Sequence, residues 1–503
     1  MTNLLKSRMV HLKAFVGTLC RLDPTDMTQQ SSNRRQFIHQ ALATSVGFAG
    51  LGLMLDRRLE AGWLHDQTIP GYGPLIPDPK AIIDLPAGFD YQILSKAGDT
   101  MNDGLLVPGK HDGMAAFHGP DGKTILVRNH EISPGHRCIG PFDGSEGSLA
   151  KVDPTLIYDI GSSADGQASP SRGGCTRLLY DTREGKEAGT LMYQELALVG
   201  TEHNCAGGPT PHGTWLSCEE SIVGPTPDRP WMKPHGYVFE VSTKIGSGLV
   251  KPEPIIGMGR MNHEAVAVDP QTGIVHLTED RNDGCLYRFL PSKPGHYLEG
   301  GTLQALAVSD IPGNDLRNWE SPHPFRVGST ATVRWITIED VDSADDSLRH
   351  QAAEKGAAIF ARGEGMWMGD GELYFACTTG GANQRGQIWK YRPEDPLTQA
   401  VPTESNEPRG KLTLLAEPND AAVVEHADNL TVSPWGDLIV CEDGTEDQFL
   451  LGVTPDGTFY KFGRNAMNRS EFAGATFSPD ASTLFVNIQN PGLTLAIRGP
   501  WRS

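Results

Sequence analysis

The chain has 503 residues and a formal charge of −19, from 43 Lys and Arg against 62 Asp and Glu. A surface that acidic repels nucleic acid and anionic lipid, so neither is an expected partner. Gly (58) and Pro (36) are plentiful and apolar runs are short, which argues against a helical protein; the eight cysteines form no CxxC pair and no dense disulfide framework.

At the N-terminus, NRRQFIHQALATSVGFAGLGLML (33–55) sets Arg34 and Arg35 before Phe37 and an apolar run too short and too rich in Gly and Ala for a comfortable membrane span. It resembles a twin-arginine export signal. Residues 1–62 are expected to be that signal and its flank, with Met27 a candidate start. The mature protein is then expected in the periplasm or outside the cell, with no stable membrane span. The twin-arginine machinery exports folded proteins, often ones already loaded with a cofactor.

Downstream, six stretches share one pattern. A polar residue opens a short strand, a turn follows, and a second apolar strand ends in an acid or another polar residue. They are DGMAAFHGPDGKTILVRNHE (112–131), CAGGPTPHGTWLSCEE (205–220), EAVAVDPQTGIVHLTED (264–280), EGMWMGDGELYFACT (364–378), DNLTVSPWGDLIVCED (428–443) and EFAGATFSPDASTLFVNIQ (471–489). Most of the turns have the Gly-rich chemistry of β-hairpins. Six diverged hairpins at irregular spacing predict an all-β fold, a six-bladed β-propeller over 75–498, with insertions between blade strands as in 140–175 and 300–355. In such a fold the ends of all six hairpins converge on one mouth of the central channel.

The opening residues are Asp112, Cys205, Glu264, Glu364, Asp428 and Glu471; the second strands add Glu219, Glu279 and Glu442, with Glu131, Glu220, Asp280 and Asp443 close by. Unpaired carboxylates crowded in a partly buried channel are strongly unfavourable, so either several hold protons or cations hold them together. Oxygen-rich clusters select Ca2+ or Mg2+, and a thiolate among carboxylates invites iron or zinc. Bound cations also let so acidic a chain receive an anionic substrate. Any one acid at a strand end can instead cap a turn; the recurrence at equivalent positions argues for a site. Cys218, Cys377 and Cys441 lie inside apolar strands and read as small core residues, whereas Cys205 sits in a Gly-Pro turn. Arg362 and Arg464 precede Glu364 and Glu471, and each either grips phosphate oxygens or pairs with the ring. His130, His203 and His263 are either ligands or donors that orient carboxylates. No G-x-S-x-G motif offers a serine nucleophile.

The segments NCAGGPTPHGTWLSCEE, NHEAVAVDPQTGIVHLTED, GEGMWMGDGELYFACTTGG, GQIWKY, ADNLTVSPWGDLIVCEDG and EFAGATFSPDASTLFVNIQNPG together resemble the PhoX family of secreted alkaline phosphatases, over roughly residues 75 to 495. The resemblance implies a propeller with two coupled Fe3+ ions and several Ca2+ ions at its mouth, hydrolysing small phosphate monoesters for phosphate acquisition. It implies Cys205 as the iron-bridging thiolate, Glu264, Glu364 and Asp428 as iron carboxylates, Arg362 as a phosphate binder and Arg464 as a second one. It implies Glu131, Glu219, Glu220, Glu279, Glu442 and Asp443 as calcium ligands, with Glu471 a ring ligand or a support to one. The chain departs from the family at His212, where Trp is usual in TPWGTW. Two other classes stay open: a calcium-dependent propeller hydrolase of lactonase or phytase type, which needs no thiolate, and a non-catalytic propeller used for binding.

Overall fold

Six antiparallel hairpins are found among the described residues of the computed structural model. These residues are 70–502 apart from 145–146, 163–166, 184–188, 227–229, 310–313 and 394–408. The expected export signal, with Met27 and residues 1–62, lies outside them. The hairpins pair His111–His118 with Thr124–His130, Asn204–Pro209 with Thr214–Glu219, and His263–Val268 with Val275–Glu279. The other three pair Gly363–Gly369 with Glu372–Cys377, Ala427–Val432 with Leu438–Glu442, and Phe472–Phe477 with Thr483–Ile488. Each takes a third strand on its outer side, and the only α-helix among the described residues is Leu348–Glu354. The fold is all-β and propeller-like. Near the N-terminus, Asp90–Lys96 pairs with Leu493–Arg498, and Ile83–Pro86 pairs with Phe459–Asn465, so the two ends of the described chain are knitted into shared sheets.

The sheets number five among the described residues, where separate blades predict six. The inserted strand Thr330–Thr337 causes the difference. It pairs through Val333–Thr337 with Gly301–Val308 and through Thr330–Thr332 with Gly410–Ala416, joining the third and fourth hairpins' sheets into one of nine strands. Both neighbours would otherwise present open edges, which attract foreign strands. Apolar clusters fill the space between adjacent sheets; Cys218, Cys377 and Cys441 lie fully buried in three of them, and Cys138 and Cys175 are free thiols.

One irregularity recurs in every hairpin. His111 faces His130 and Met114 faces Arg128, so three steps on the first strand match two on the second. The same slip falls between Asn204 and Gly207, His263 and Val266, Gly363 and Met366, Ala427 and Leu430, and Ala473 and Thr476. This is a β-bulge, which bends a strand and re-aims the side chain it carries. The residues just inside it are Asp112, Cys205, Glu264, Glu364, Asp428 and, in the sixth hairpin, Gly474. Glu471, expected to open the sixth hairpin as a member of this ring, stands before the strand, because there the bulge comes one residue pair deeper.

Neighbouring first strands touch backbone to backbone. A Cβ on Gly113 would fall 2.5 Å from Ala206 Cα, and one on Gly365 would fall 2.5 Å from Asn429 Cα. Polar side chains tie four of the hairpins to carbonyls of the next. Asn129 donates to Ala206 O at 2.7 Å, Thr278 to Glu364 O at 2.7 Å, Thr378 to Ala427 O at 2.6 Å and Asn487 to Asp112 O at 2.5 Å.

The second strands end on residues that hold the backbone. Glu219 accepts from Glu202 N (2.8 Å), Gly236 N (2.9 Å), Tyr237 N (3.2 Å) and His235 Nδ1 (2.6 Å). At the same position Glu442 accepts from Glu425 N and Phe449 N, and Glu279 accepts from Cys285 N and Tyr287 Oη. His130 contacts Gly109 O and Thr176 Oγ1 there. Each such carboxylate ties the hairpin to the start of its third strand.

Two outcomes follow. Gly365→Ala should destabilise the fold by about 1–3 kcal/mol, because the new methyl meets backbone rather than a flexible side chain; a lowered denaturant midpoint checks it. His235 lies between Glu219 and Asp159 (3.1 Å); burial opposes its charge, but the two acids outweigh burial and push it from 6.5 up to about 10. A raised histidine stabilises fully below its ordinary pKa and loses that contribution as pH climbs through the folded value. Wild type should therefore melt well above His235→Gln at mildly acid pH, and the gap should shrink towards pH 10.

Candidate metal centre

Four groups of side chains each bring three ligand atoms within 4.8 Å of one another: Glu131/His203/Glu220, Cys205/Glu220/Glu264, Glu264/Glu364/Asp428 and Asp428/Asp443/Glu471. Successive groups share Glu220, Glu264 and Asp428, so they form a continuous row. Cys205, Glu264, Glu364 and Asp428 come from inside four successive bulges, while Glu131, Glu220 and Asp443 each follow the last residue of a second strand. Successive strand residues face opposite ways. Of the adjacent acids Glu219 and Glu220, one therefore holds backbone and the other joins the cluster; Glu442 and Asp443 divide in the same way. Glu219, Glu279 and Glu442, expected as calcium ligands, are thus not brought into the row.

Burial and mutual repulsion dominate the electrostatics. Glu264 is fully buried and both its carboxylate oxygens lack any hydrogen-bond partner. Desolvation, then Glu364, Glu220, Asp428 and Asp112, hold its pKa well above the ordinary carboxylate range. Desolvation, then Glu264 and Asp112, likewise raises the Cys205 thiol. Burial with Asp443 nearby pushes Asp428 up to about 7. Asp112, whose Oδ1 lies 3.9 Å from Cys205 Sγ, is also raised, by burial first and then by Glu131.

Basic side chains recur at one position. The residue just before the first strand gives its carbonyl to the N–H of the residue that follows the second: Lys110 to Glu131, His203 to Glu220, Arg362 to Thr378 and His426 to Asp443. All four have left-handed backbone, with φ of 48°, 49°, 54° and 61°. That conformation costs a non-glycine residue on the order of 1 kcal/mol and collects at functional sites. Asn262 and Glu471 give their carbonyls in the same way to Asp280 and Gln489. The third and sixth hairpins therefore break the basic pattern.

His203 reaches Glu131 at 2.6 Å and Glu220 at 3.3 Å; burial opposes its charge, but these acids outweigh burial and push it up to about 11. Arg362 makes a two-pronged pair with Asp280, both bonds 2.7 Å, and reaches Glu364 at 2.7 Å through Nη2. Its Nη1 has no partner among the described residues. Lys110 sits 3.7 Å from Glu131 and also contacts Gln489. Arg464, expected as the second phosphate binder, pairs from an outer strand with Asp84 (2.6 Å) and Asp447 (3.2 Å), neither of which belongs to the four groups. His263 bonds Gly259 O at 2.9 Å and joins none of them.

The donor set fits bound cations. The first group already contains an imidazolium, and Glu364 has Arg362. Glu264 has only other acids and a thiol around it, with two bare oxygens. Carboxylates with one sulfur suit a hard trivalent or divalent ion beside calcium-type oxygen sites.

Sequence reasoning missed Lys110, His426 and Gln489. The signal was present: each basic residue stands two before an acid or cysteine, as in Lys110/Asp112, His203/Cys205, Arg362/Glu364 and His426/Asp428.

A family model described as alkaline phosphatase PhoX matches residues 70–156 and 186–492. No curated protein matches the chain. Among solved structures, Pseudomonas fluorescens PhoX in complex with vanadate, a transition state analogue, is similar over 85% of this chain and 98% of that one, at 16% identity and a TM-score of 0.61. That likeness concerns the fold. The gluconolactonase XC5397 from Xanthomonas campestris covers 86% of this chain and 99% of its own at 11% identity, with a TM-score of 0.38. The family match includes every residue of the acid row, and the chain belongs to the alkaline phosphatase PhoX family, whose activity is that of a phosphoric monoester hydrolase.

Proposed function

We propose that the protein is a metal-dependent alkaline phosphatase that hydrolyses phosphate monoesters over the acid row, with its six hairpins serving as the inner halves of six propeller blades. The observation that carries this reading is Glu264, a buried carboxylate with no donor on either oxygen, shared by two of the four ligand groups. In this reading the groups containing Glu264 hold a pair of Fe3+ ions, with Cys205, Glu364 and Asp428 as the other ligands. The carboxylate oxygens of the outer groups, Glu131 and Glu220 on one side and Asp428, Asp443 and Glu471 on the other, take Ca2+, with His203 orienting the first pair. When bound, these ions supply Lewis-acid charge to the phosphoryl oxygens.

The chain's own residues do the rest. Asp280 and Glu364 hold the Arg362 guanidinium in one orientation, leaving Nη1 to donate to a phosphate oxygen whose charge grows in the transition state. Lys110 supplies a second cation at the mouth, in place of Arg464. His203 fixes the carboxylates of Glu131 and Glu220. Burial keeps Cys205 a thiol until a cation takes the proton's place. Among the described residues no helix is long and apolar enough to cross a membrane. The N-terminal twin arginine supports export, folded and loaded, to the periplasm or beyond.

Arg362→Ala should lower kcat/KM for a phosphomonoester by roughly ten- to several-hundred-fold, about 1.5–3.5 kcal/mol for a lost charge-assisted contact. Unchanged kinetics would take Arg362 out of the site. Metal removal gives the second check. The acids of the row have folded pKa values raised above their unfolded ones, Asp428 to about 7 and Glu220, by burial, to about 8. The stripped protein should therefore lose stability as pH rises from the ordinary carboxylate range through these values. Melting curves with and without chelator should diverge most at alkaline pH, and elemental analysis should find iron as well as calcium. Calcium alone, with activity retained, would favour a lactonase- or phytase-type hydrolase.

A further inference from the structure

Beside the acid row lies a cavity that the proposed chemistry does not use. It has a volume of ≈ 460 Å³, and its walls include Ile222, Val223, Pro225, Trp231, Pro234 and Arg260. Two wall segments are continuous with members of the row: Ile222 follows Glu220 by two residues, and Arg260 precedes Glu264 by four. Extended chain covers at most about 3.5 Å per residue, so the backbones of Ile222 and Arg260 lie within about 7 Å of Glu220 and about 14 Å of Glu264.

Arg260 is 7% exposed, and its Nε and Nη2 donate to His235 O (2.8 Å) and Val223 O (2.9 Å). Its guanidinium carbon lies 6.0 Å from the centre of the Tyr237 ring. It has no carboxylate partner among the described residues, and Nη1 is unused by the protein. Asp342, which also meets Tyr237, is engaged by the Tyr237 hydroxyl at 2.6 Å. Two carbonyls hold Nε and Nη2, which leaves Nη1 to receive an anion that enters the cavity. The other walls are largely apolar and include one indole, which suits a flat apolar body, and the volume suits a small organic group.

We propose that this cavity is the leaving-group subsite of the active site. It selects phosphomonoesters whose alcohol is an aryl or similarly flat apolar group bearing a second anion, carboxylate or phosphate, which Arg260 receives. The phosphatase reading supplies only the phosphoryl half of this proposal, so the test separates the two. Metal-loaded protein is assayed with 4-carboxyphenyl phosphate, 1,4-phenylene bisphosphate and 4-methylphenyl phosphate. Binding of the corresponding non-hydrolysable phosphonates is measured by calorimetry.

Either anionic compound should be preferred over the methyl compound by at least about ten-fold, the usual worth of a charge-assisted contact. Arg260→Met should bring that ratio near one. Ile222→Glu keeps the Arg260 backbone bonds and adds a like charge to the wall, so it should lower the ratio too. A ratio near one in the wild type, or one that survives both substitutions, overturns the proposal. Selective phosphonate binding without any ester turnover supports the subsite and removes the phosphatase reading; turnover without selectivity does the reverse.

Discussion

Carboxylates forced together where neither water nor protein donors reach them are the constraint on which this structure turns. Glu264 is the extreme case, with Glu220, Glu364, Asp428 and Asp112 around it and no bond to either oxygen. Such a group is tolerable if it keeps its proton or if a cation replaces that proton. The basic residues at the mouth relieve only the flanks: His203 serves Glu131 and Glu220, and Arg362 serves Glu364 and Asp280. The middle of the row has no such cationic partner among the described residues. The family to which the chain belongs gives that demand a chemical purpose.

The device that creates this crowding is repeated and small. One extra residue per hairpin breaks the ladder at the same depth and brings a side chain from each of five hairpins to the same region. Backbone contact at Gly113 and Gly365, and side-chain bonds from Asn129, Thr278, Thr378 and Asn487, lock neighbouring hairpins at a spacing that larger residues would not permit. The left-handed backbone of Lys110, His203, Arg362 and His426 then sets a basic side chain at the rim of each of these hairpins. Local strain at four places and close packing throughout serve one end, a rigid arrangement of like charges that cannot relax by spreading apart.

Much of this was legible in the residues themselves. Turn chemistry and alternating apolar strands disclosed the six hairpins, and the recurrence of acids at hairpin openings disclosed Glu264, Glu364, Asp428 and the thiol Cys205 as neighbours. Adjacent acids were harder. Glu219 and Glu220 look alike in a string of letters, and so do Glu442 and Asp443. A strand's period of two sends one towards backbone N–H groups and the other into the row. Which goes where depends on register, and register depends on pairing partners far along the chain.

Composition, turn spacing and motif recurrence therefore determined the all-β class, the hairpins and the residue types of the site, because these are local properties of short stretches. Tertiary structure alone decided that Glu471 precedes its strand and that Arg464 belongs to Asp84. It also decided that Thr330–Thr337 fuses two sheets. Each of those outcomes turns on which backbone lies beside which, a relation between residues as many as 380 positions apart that no local pattern encodes.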